Sequence, residues 1–343
     1  MKQAGLLLTV CIASIWIAAC SSKKNTQELE FVNENIVFAT QQFNRMIASL
    51  PNVDSAALDR IIPVTTDAEG RVYTSHPYGW TIGFFPGSLW QLYELTKDTV
   101  WMNRAASWTH RLEYLKAFTD NHDIGFMMNC SYGNANRLAP RSEYKNVLVE
   151  SANALSTRFI QKAQIIKSWN YRKAWNDTTE WFCPVVIDNV MNLELLCKAS
   201  EISGDKRYKD IAITHAKTTL KNHFRPNFST YHVVDYDTIS GKVKDRATCQ
   251  GYSDCSTWSR GQAWAIYGYT LMYRETRQQE FLDVALQAAD YFISHLPEDG
   301  IPFWDFNVGQ TGFTPEGRSF AVKDKTPYRD ASAASIASSA YSN

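Results

Sequence analysis

An all-α fold of repeated helical hairpins, wound as an open solenoid or closed into an α/α toroid, is what this sequence predicts. Three observations carry that expectation. Apolar residues recur with a period of about 3.6 along most of the chain. One local grammar returns: a helix ends in a short polar turn, an aromatic follows, and then a helix rich in alanine begins. The segments between hairpins are long and loaded with Trp, Asp, Gly and His, whereas the turns inside hairpins are short, so function belongs in the long loops.

The chain opens with Lys2 and an apolar run from Ala4 to Ala19, too short and one-sided for a stable spanning helix. Ile17-Ala18-Ala19-Cys20 places small residues before a cysteine, the pattern of a lipoprotein signal; the alternative is an ordinary signal peptide with Cys20 incidental. The expected division is a signal peptide over 1–19, a lipid-anchored polar tether over 20–27 and a single catalytic domain over 28–343. Acylation of Cys20 by two or more chains would hold that domain on the bacterial cell envelope, facing the periplasm or the surface. Helices follow at Glu28 to Ser49, Ser88 to Lys97, Trp101 to Phe118, Ser151 to Trp169, Asn189 to Ile202, Tyr208 to Asn222, Gln262 to Thr276 and Phe281 to His295. The hairpin turns read Lys97-Asp98-Thr99-Val100-Trp101, Ser203-Gly204-Asp205-Lys206-Arg207-Tyr208 and Arg277-Gln278-Gln279-Glu280-Phe281. A short β signal at Tyr231–Tyr236, with a partner after Ser240-Gly241, reads as a hairpin lid. Arg329 to Ala340 reads as the start of a further hairpin, incomplete at Asn343; that would leave apolar faces of the first and penultimate helices exposed.

Composition narrows the function. The chain has 35 Lys+Arg against 35 Asp+Glu, so no basic face recommends nucleic acid as a partner; 45% hydrophobic residues exclude disorder. Beyond Cys11 and Cys20, five cysteines without repeating spacing argue for buried thiols, with Cys249 and Cys255 able to form one bridge. P-loop, dinucleotide, zinc-protease and serine-esterase motifs are all missing from the sequence. What remains is carboxylates in loops among 17 Phe, 17 Tyr and 11 Trp, the equipment for stacking on sugars and moving protons.

Two aspartates stand out. Asp188 follows the apolar run Val185-Val186-Ile187 and begins a helix, so it is either an N-cap or a carboxyl aimed into a funnel, where apolar neighbours raise its pKa. Asp123, in Asn121-His122-Asp123-Ile124-Gly125-Phe126, is a loop carboxylate or an Asx turn; His122 beside it reads as a turn residue. In Trp258-Ser259-Arg260-Gly261-Gln262-Ala263-Trp264, Arg260 lies between two tryptophans before a helix. It reads either as a bidentate receptor for a carboxylate or as an arginine stacked on Trp for structure alone.

Taken with Ser229-Thr230-Tyr231-His232-Val233-Val234 and Ile187-Asp188-Asn189-Val190-Met191-Asn192-Leu193, these segments resemble glycoside hydrolase family 88, the unsaturated glucuronyl hydrolases, from about Glu28 onward. The sister unsaturated rhamnogalacturonyl hydrolases typically carry Arg-Gly-Asn-Gly-Trp where this chain has Arg260-Gly261-Gln262-Ala263-Trp264. The resemblance implies an (α/α)6 barrel, here with its last hairpin incomplete. It further implies removal of a Δ4,5-unsaturated uronic acid from the non-reducing end of lyase-generated, glycosaminoglycan-type oligosaccharides. Carried over by motif, Asp188 is general acid and base and Asp123 its partner. His232 and Gln250 line the subsite, Arg260 with Trp258 and Trp264 receives the uronate, and Trp80 supplies a stacking face. The bond attacked is a vinyl ether: an acid protonates C4, charge develops at C5, water adds there, and the hemiketal expels the remaining sugar. This route calls for neither metal nor organic cofactor. The expected partners are an unsaturated oligosaccharide and, through the lipid anchor alone, a membrane. The competing class is a catalytically silent glycan-binding lipoprotein, which needs the rings but no acid at position 188.

Overall fold

The computed structural model of the chain describes residues 29–50, 62–174, 179–316 and 325–341. The signal peptide and tether expected over 1–27 lie outside the described residues. Helix α1 covers 29–48, and an antiparallel pair, β1 (Pro63–Thr66) and β2 (Val72–Thr74), follows. Helices α2 (Phe84–Thr96) and α3 (Thr99–His110) make a hairpin. Next come α4 (Ile124–Met128), a π-helical turn (Asn129–Gly133) and α5 (Asn134–Leu138), which run on as one interrupted helix and return through α6 (Ser142–Ser156). Three short strand pairs or parts of pairs come next: β3 (Phe159–Ile160) with β4 (Ile165–Ile166), β5 (Arg172–Lys173) with β6 (Glu180–Trp181), and β7 (Pro184–Val186). Helices α7 (Asn189–Ser203) and α8 (Lys206–His223), strands β8 (Val233–Tyr236) and β9 (Val243–Ala247), then α9 (Ser259–Thr276), α10 (Gln279–Ser294) and α11 (Ala331–Tyr341) complete the order.

The hairpin grammar has a physical basis. Lys97 and Gly204 take left-handed backbone at the ends of α2 and α7, donating N–H to Tyr93 O and Ser200 O. The next residue, Asp98 or Asp205, accepts the N–H two positions on and so starts the outer helix. At the third turn Arg277 is likewise left-handed, but Gln278 supplies no side-chain cap.

Helices α2, α4–α5, α7, α9 and α11 lie side by side as an inner arc, with α3, α6, α8 and α10 outside them, the arrangement of an α/α toroid. Nine of the fifteen residues of α7 are buried, whereas α8 and α10 bury one face. Helix α11 packs on α9 and has no outer partner among the described residues. Helices α1 and α10 expose Phe31, Val37, Phe38, Leu286 and Ile293. No described helix is long and apolar enough to cross a membrane.

Three expectations need correction, and one helix was missed. The helix expected at Ser151–Trp169 starts at Ser142 and stops at Ser156, where Ser156 and Thr157 turn their hydroxyls onto the carbonyls of Ala152 and Ala154; β3 and β4 occupy the remainder. The α4–α5 helix went unforeseen because Ile124 to Met128 are all buried and show no polar face. The β signal at 231–236 is not a lid: β8 is wholly buried, central in a sheet of order β7-β8-β9. Cys249 and Cys255 are free thiols; Cys183, Cys197 and Cys249 are buried, Cys130 and Cys255 half-buried.

The inner arc closes through small residues. A Cβ on Gly268 of α9 would collide with the Val190 side chain of α7 and stand 2.6 Å from its Cβ. Gly268→Ala is therefore expected to destabilise the fold by about 1 to 3 kcal/mol, read as a lower urea midpoint at unchanged slope. An unaltered midpoint would mean that α7 and α9 do not pack this closely.

Candidate active site

Asp123 and Asp188 occupy equivalent places, each immediately before an inner helix, α4 and α7, and neither caps it. The Asx turn belongs to Asn121, whose Oδ1 accepts the Asp123 N–H at 2.8 Å. Both carboxyls are thus free to face the mouth of the arc. Backbone placement of Asp188 comes from the sheet: Val185 and Val186 of β7 pair with Val234 and Val233 of β8, and Ile187 N–H donates to His232 O at 3.0 Å. One backbone contact therefore carries Asp188 and His232 to the same point.

His232 Nε2 lies 3.9 Å from Asp188 Oδ1, and neither atom has a hydrogen-bond partner among the described residues. Its Nδ1 accepts the N–H groups of Cys249 (3.0 Å) and Gln250 (3.1 Å), so the neutral ring carries its proton on Nε2, toward Asp188. Burial, with the neighbouring His223 ring and the positive charge of Arg260 acting the same way, pushes His232 down to about 3, so the ring is neutral at physiological pH. For Asp188 burial raises the carboxyl to about 6 against the opposing charge of His122; the negative charge of Asp123 adds to the rise. Its side chain is 17% exposed, enough to be reached from the mouth.

His122, read from sequence as a turn residue, is buried and belongs to the site. Val186 N–H donates to Ser168 Oγ at 3.0 Å, which leaves the Ser168 hydroxyl proton facing His122 Nδ1 at 3.3 Å. Asn192 holds its Oδ1 on Phe126 N–H at 2.8 Å and turns its amide nitrogen to the same Nδ1. The other ring nitrogen meets Asp123 Oδ1 at 3.2 Å. Burial resists charging this imidazole, but the charge and hydrogen bond of Asp123, with Asp188 beyond, outweigh it and raise its pKa. Arg158 steadies the same loop from behind, donating to Thr119 O and Lys167 O. Adjacency to Asp123 was the one sequence signal for His122; nothing local marked Ser168 or Asn192.

Arg260 is the second residue of α9, with its guanidinium 5.1 Å from the Trp258 ring centroid, and Trp258 in turn packs at 4.5 Å on His232. Asp330, at the start of α11, stands 3.7 Å from Arg260 and spends Oδ1 on Ala333 N–H. The expected flanking of Arg260 by two tryptophans is only half realised. Trp264 lies deeper, edge-on to Phe126 at 5.0 Å, because one turn of α9 separates it from the guanidinium. Trp80 is 43% exposed and meets Phe126 edge-on at 5.4 Å, its ring standing at the mouth. Gln250 is half-buried; its backbone on His232 is its fixed contact.

Phe126, Met191 and Trp264 belong to one buried apolar cluster next to these residues. Met191 also lines a separate cavity of about 910 Å³ beyond it, with Glu194, Tyr267, Arg274 and Glu275. There Glu194 is held by Tyr267 Oη (3.1 Å) and Arg274 (3.3 Å), so its charge is spoken for.

Residues 56–301 match Glycosyl Hydrolase Family 88. The chain belongs to that family. It is 46% identical over 264 residues to the unsaturated glucuronyl hydrolase of Formosa agariphila, covering 76% of this chain and 62% of that one. It is 32% identical to an unsaturated chondroitin disaccharide hydrolase of Streptococcus pyogenes, over 75% of this chain and 64% of the relative. Among solved structures, a glucuronyl hydrolase specific for heparin superposes with a TM-score of 0.73 at 40% identity, covering 84% of this chain and 72% of the other. The chain thus spans about three fifths of the length of its curated relatives. The fold shared with these family 88 members is the α/α toroid.

A buried carboxyl with a raised pKa leaves a signature in stability. Between about pH 4 and 6 the folded chain keeps the proton on Asp188 that the unfolded chain has released, so stability from this group is greatest at low pH and falls as pH rises through about 6. Asp188→Asn should therefore be more stable than the parent at about pH 7, by up to roughly 3 kcal/mol, and show little gain at about pH 4. Urea unfolding at the two pH values measures the difference; an equal effect at both would place the charge in solvent.

Proposed function

We propose that this family 88 chain removes a Δ4,5-unsaturated uronic acid from the non-reducing end of lyase-generated, glycosaminoglycan-type oligosaccharides by hydrating the vinyl ether. The observation that supports this most directly is Asp188: a carboxyl near the mouth, uncapped and buried, with a pKa of about 6, beside a second carboxylate and an aromatic-backed arginine. In this reading Asp188 protonates C4, positive charge builds at C5 and the ring oxygen, and water adds at C5 with the Asp188 carboxylate taking its proton. Asp123, on its His122 tether, contacts the sugar and adds to the rise that burial gives the Asp188 pKa. His232 presents Nε2–H to Asp188 and lines the subsite with Gln250, while Trp80 offers its ring to the sugar face. Arg260 receives the uronate carboxylate, with Trp258 keeping the guanidinium flat and Trp264 setting the base of the pocket. The related heparin-specific and chondroitin-disaccharide enzymes favour a glycosaminoglycan source.

The conjugated C=C–COO⁻ of such a substrate absorbs in the ultraviolet and the product does not, so turnover is followed directly. Asp188→Asn should lower kcat by about 10² to 10⁴ with binding retained, the usual contribution of a general acid; a variant keeping a tenth of the rate moves the donor elsewhere. Since Asp188 must be protonated to act, kcat falls as pH rises through its pKa. Removing the neighbouring charge in Asp123→Asn should shift that descending limb to lower pH, and a fixed limb would show the carboxyls to be independent.

Arg260→Lys keeps the charge and loses the planar fork, so KM should rise about 10- to 100-fold. A purely structural Arg260 predicts instead a lower melting temperature at unchanged KM.

We also propose that the chain is held on the bacterial cell envelope through acylated Cys20, a reading carried by Ile17-Ala18-Ala19-Cys20 alone. Cys20→Ser should then move the protein from the membrane to the soluble fraction, and continued membrane partitioning counts against the anchor.

A further inference from the structure

Strands β5 and β6 stand between the two carboxylate loops. Trp169, just before β5, forms a bridge with Asn121, two residues ahead of Asp123; just past β6, β7 leads to Asp188. The hairpin has two unlike faces. On one, Tyr171 Oη donates to Glu180 at 2.9 Å and packs on Phe182, so the hairpin's glutamate is engaged there. On the other, Trp181 is buried against Ala174, Val186, Val233 and Cys249, and Trp169 packs on that cluster.

Arg172, cross-strand from Trp181, belongs to this second face. Its guanidinium lies 5.2 Å from the Trp169 ring centroid and near Cys249, whose thiol pKa burial raises and Arg172 partly lowers, and whose N–H is bonded to His232 Nδ1. These contacts tie Arg172 to the Asp123 loop on one side and to the His232–Asp188 pair on the other. The residue is nevertheless exposed, and among the described residues no carboxylate lies within ion-pair reach of it. An exposed guanidinium over an indole, without a carboxylate partner and linked through Cys249 to His232, is built to receive an anion.

The arrangement duplicates that of Arg260 on Trp258. An unsaturated uronate carries one carboxylate, and Arg260 is already assigned to it. A second arginine of the same build has use for a second anion, which on a glycosaminoglycan disaccharide is a sulfate ester. We propose that Arg172 receives a sulfate on the sugar that leaves, and is a specificity-determining residue of this site. This inference rests on the hydrolase reading of Asp188.

The test compares kcat/KM for three unsaturated uronyl–hexosamine disaccharides: unsulfated, sulfated on the hexosamine, and sulfated on the uronate. The parent protein should favour the hexosamine-sulfated substrate, and Arg172→Ala should lower the ratio of its kcat/KM to that of the unsulfated one by about 10- to 100-fold. Arg172→Lys should recover part of that ratio, since charge returns without the fork. Melting temperatures of both variants check that the hairpin is intact. An unchanged ratio in Arg172→Ala, or a loss confined to the uronate-sulfated substrate, overturns the proposal. Failure of the hydrolase reading looks different, because the parent would then turn over none of the three. Calorimetric binding of the hexosamine-sulfated disaccharide then decides on Arg172: affinity 10- to 100-fold weaker in Arg172→Ala upholds the receptor, and equal affinity removes it.

Discussion

A carboxyl buried at the start of an inner helix, yet withheld from capping it, is the constraint around which this molecule is arranged. Asp188 sits where a capping side chain would satisfy the first N–H groups of α7, and does not do so. Placed there without compensation it would simply turn outward. Strand β7 prevents this, because its ladder to β8 ends at Val186↔Val233 and Ile187 is then bonded to His232. The three-stranded sheet, a small part of an otherwise helical chain, is the clamp that keeps an electrostatically uncomfortable group in place.

Around that clamp, polar groups are used in pairs whose second members are neutral or counter-charged. His232 is neutral and turns a proton toward Asp188; His122 favours the charged form and turns toward Asp123. The difference lies in what each Nε2 meets: the Asp123 carboxylate at 3.2 Å for His122, and Asp188 only at 3.9 Å for His232. Two imidazoles of like burial thus have their pKa values moved in opposite directions by their neighbours.

The parts legible in sequence were those with local causes. Lys97-Asp98 and Gly204-Asp205 announced hairpin turns because a left-handed residue and a capping aspartate act within five positions. Asp188 and Arg260 stood out because each comes at the start of an expected helix, after an apolar run or between tryptophans, and Asp123 because it is a carboxylate in a long loop. His122, Ser168 and Asn192 did not: the contacts that define them join residues 18 to 70 positions apart, and no window of sequence holds them together. Helix α4 was hidden for a different reason, being buried all round and so lacking the polar stripe that periodicity needs. The short strands β3 to β7 are too brief to alternate detectably, and tertiary pairing rather than propensity makes them strands.

Phe126, Met191 and Trp264 join one buried apolar cluster, and Met191 reaches from it to the cavity of Glu194; on the proposed hydrolase reading, a sugar chain that reaches Asp188 would meet this packing rather than an open bore. Whatever enters must come end first and leave by the same opening. A polymer could not slide forward for a second event; after each one its remainder has to withdraw and a fresh end has to find the mouth. On that reading the protein would work distributively, trimming single terminal units from short fragments, and its throughput would scale with the number of chain ends in solution rather than with the mass of polymer.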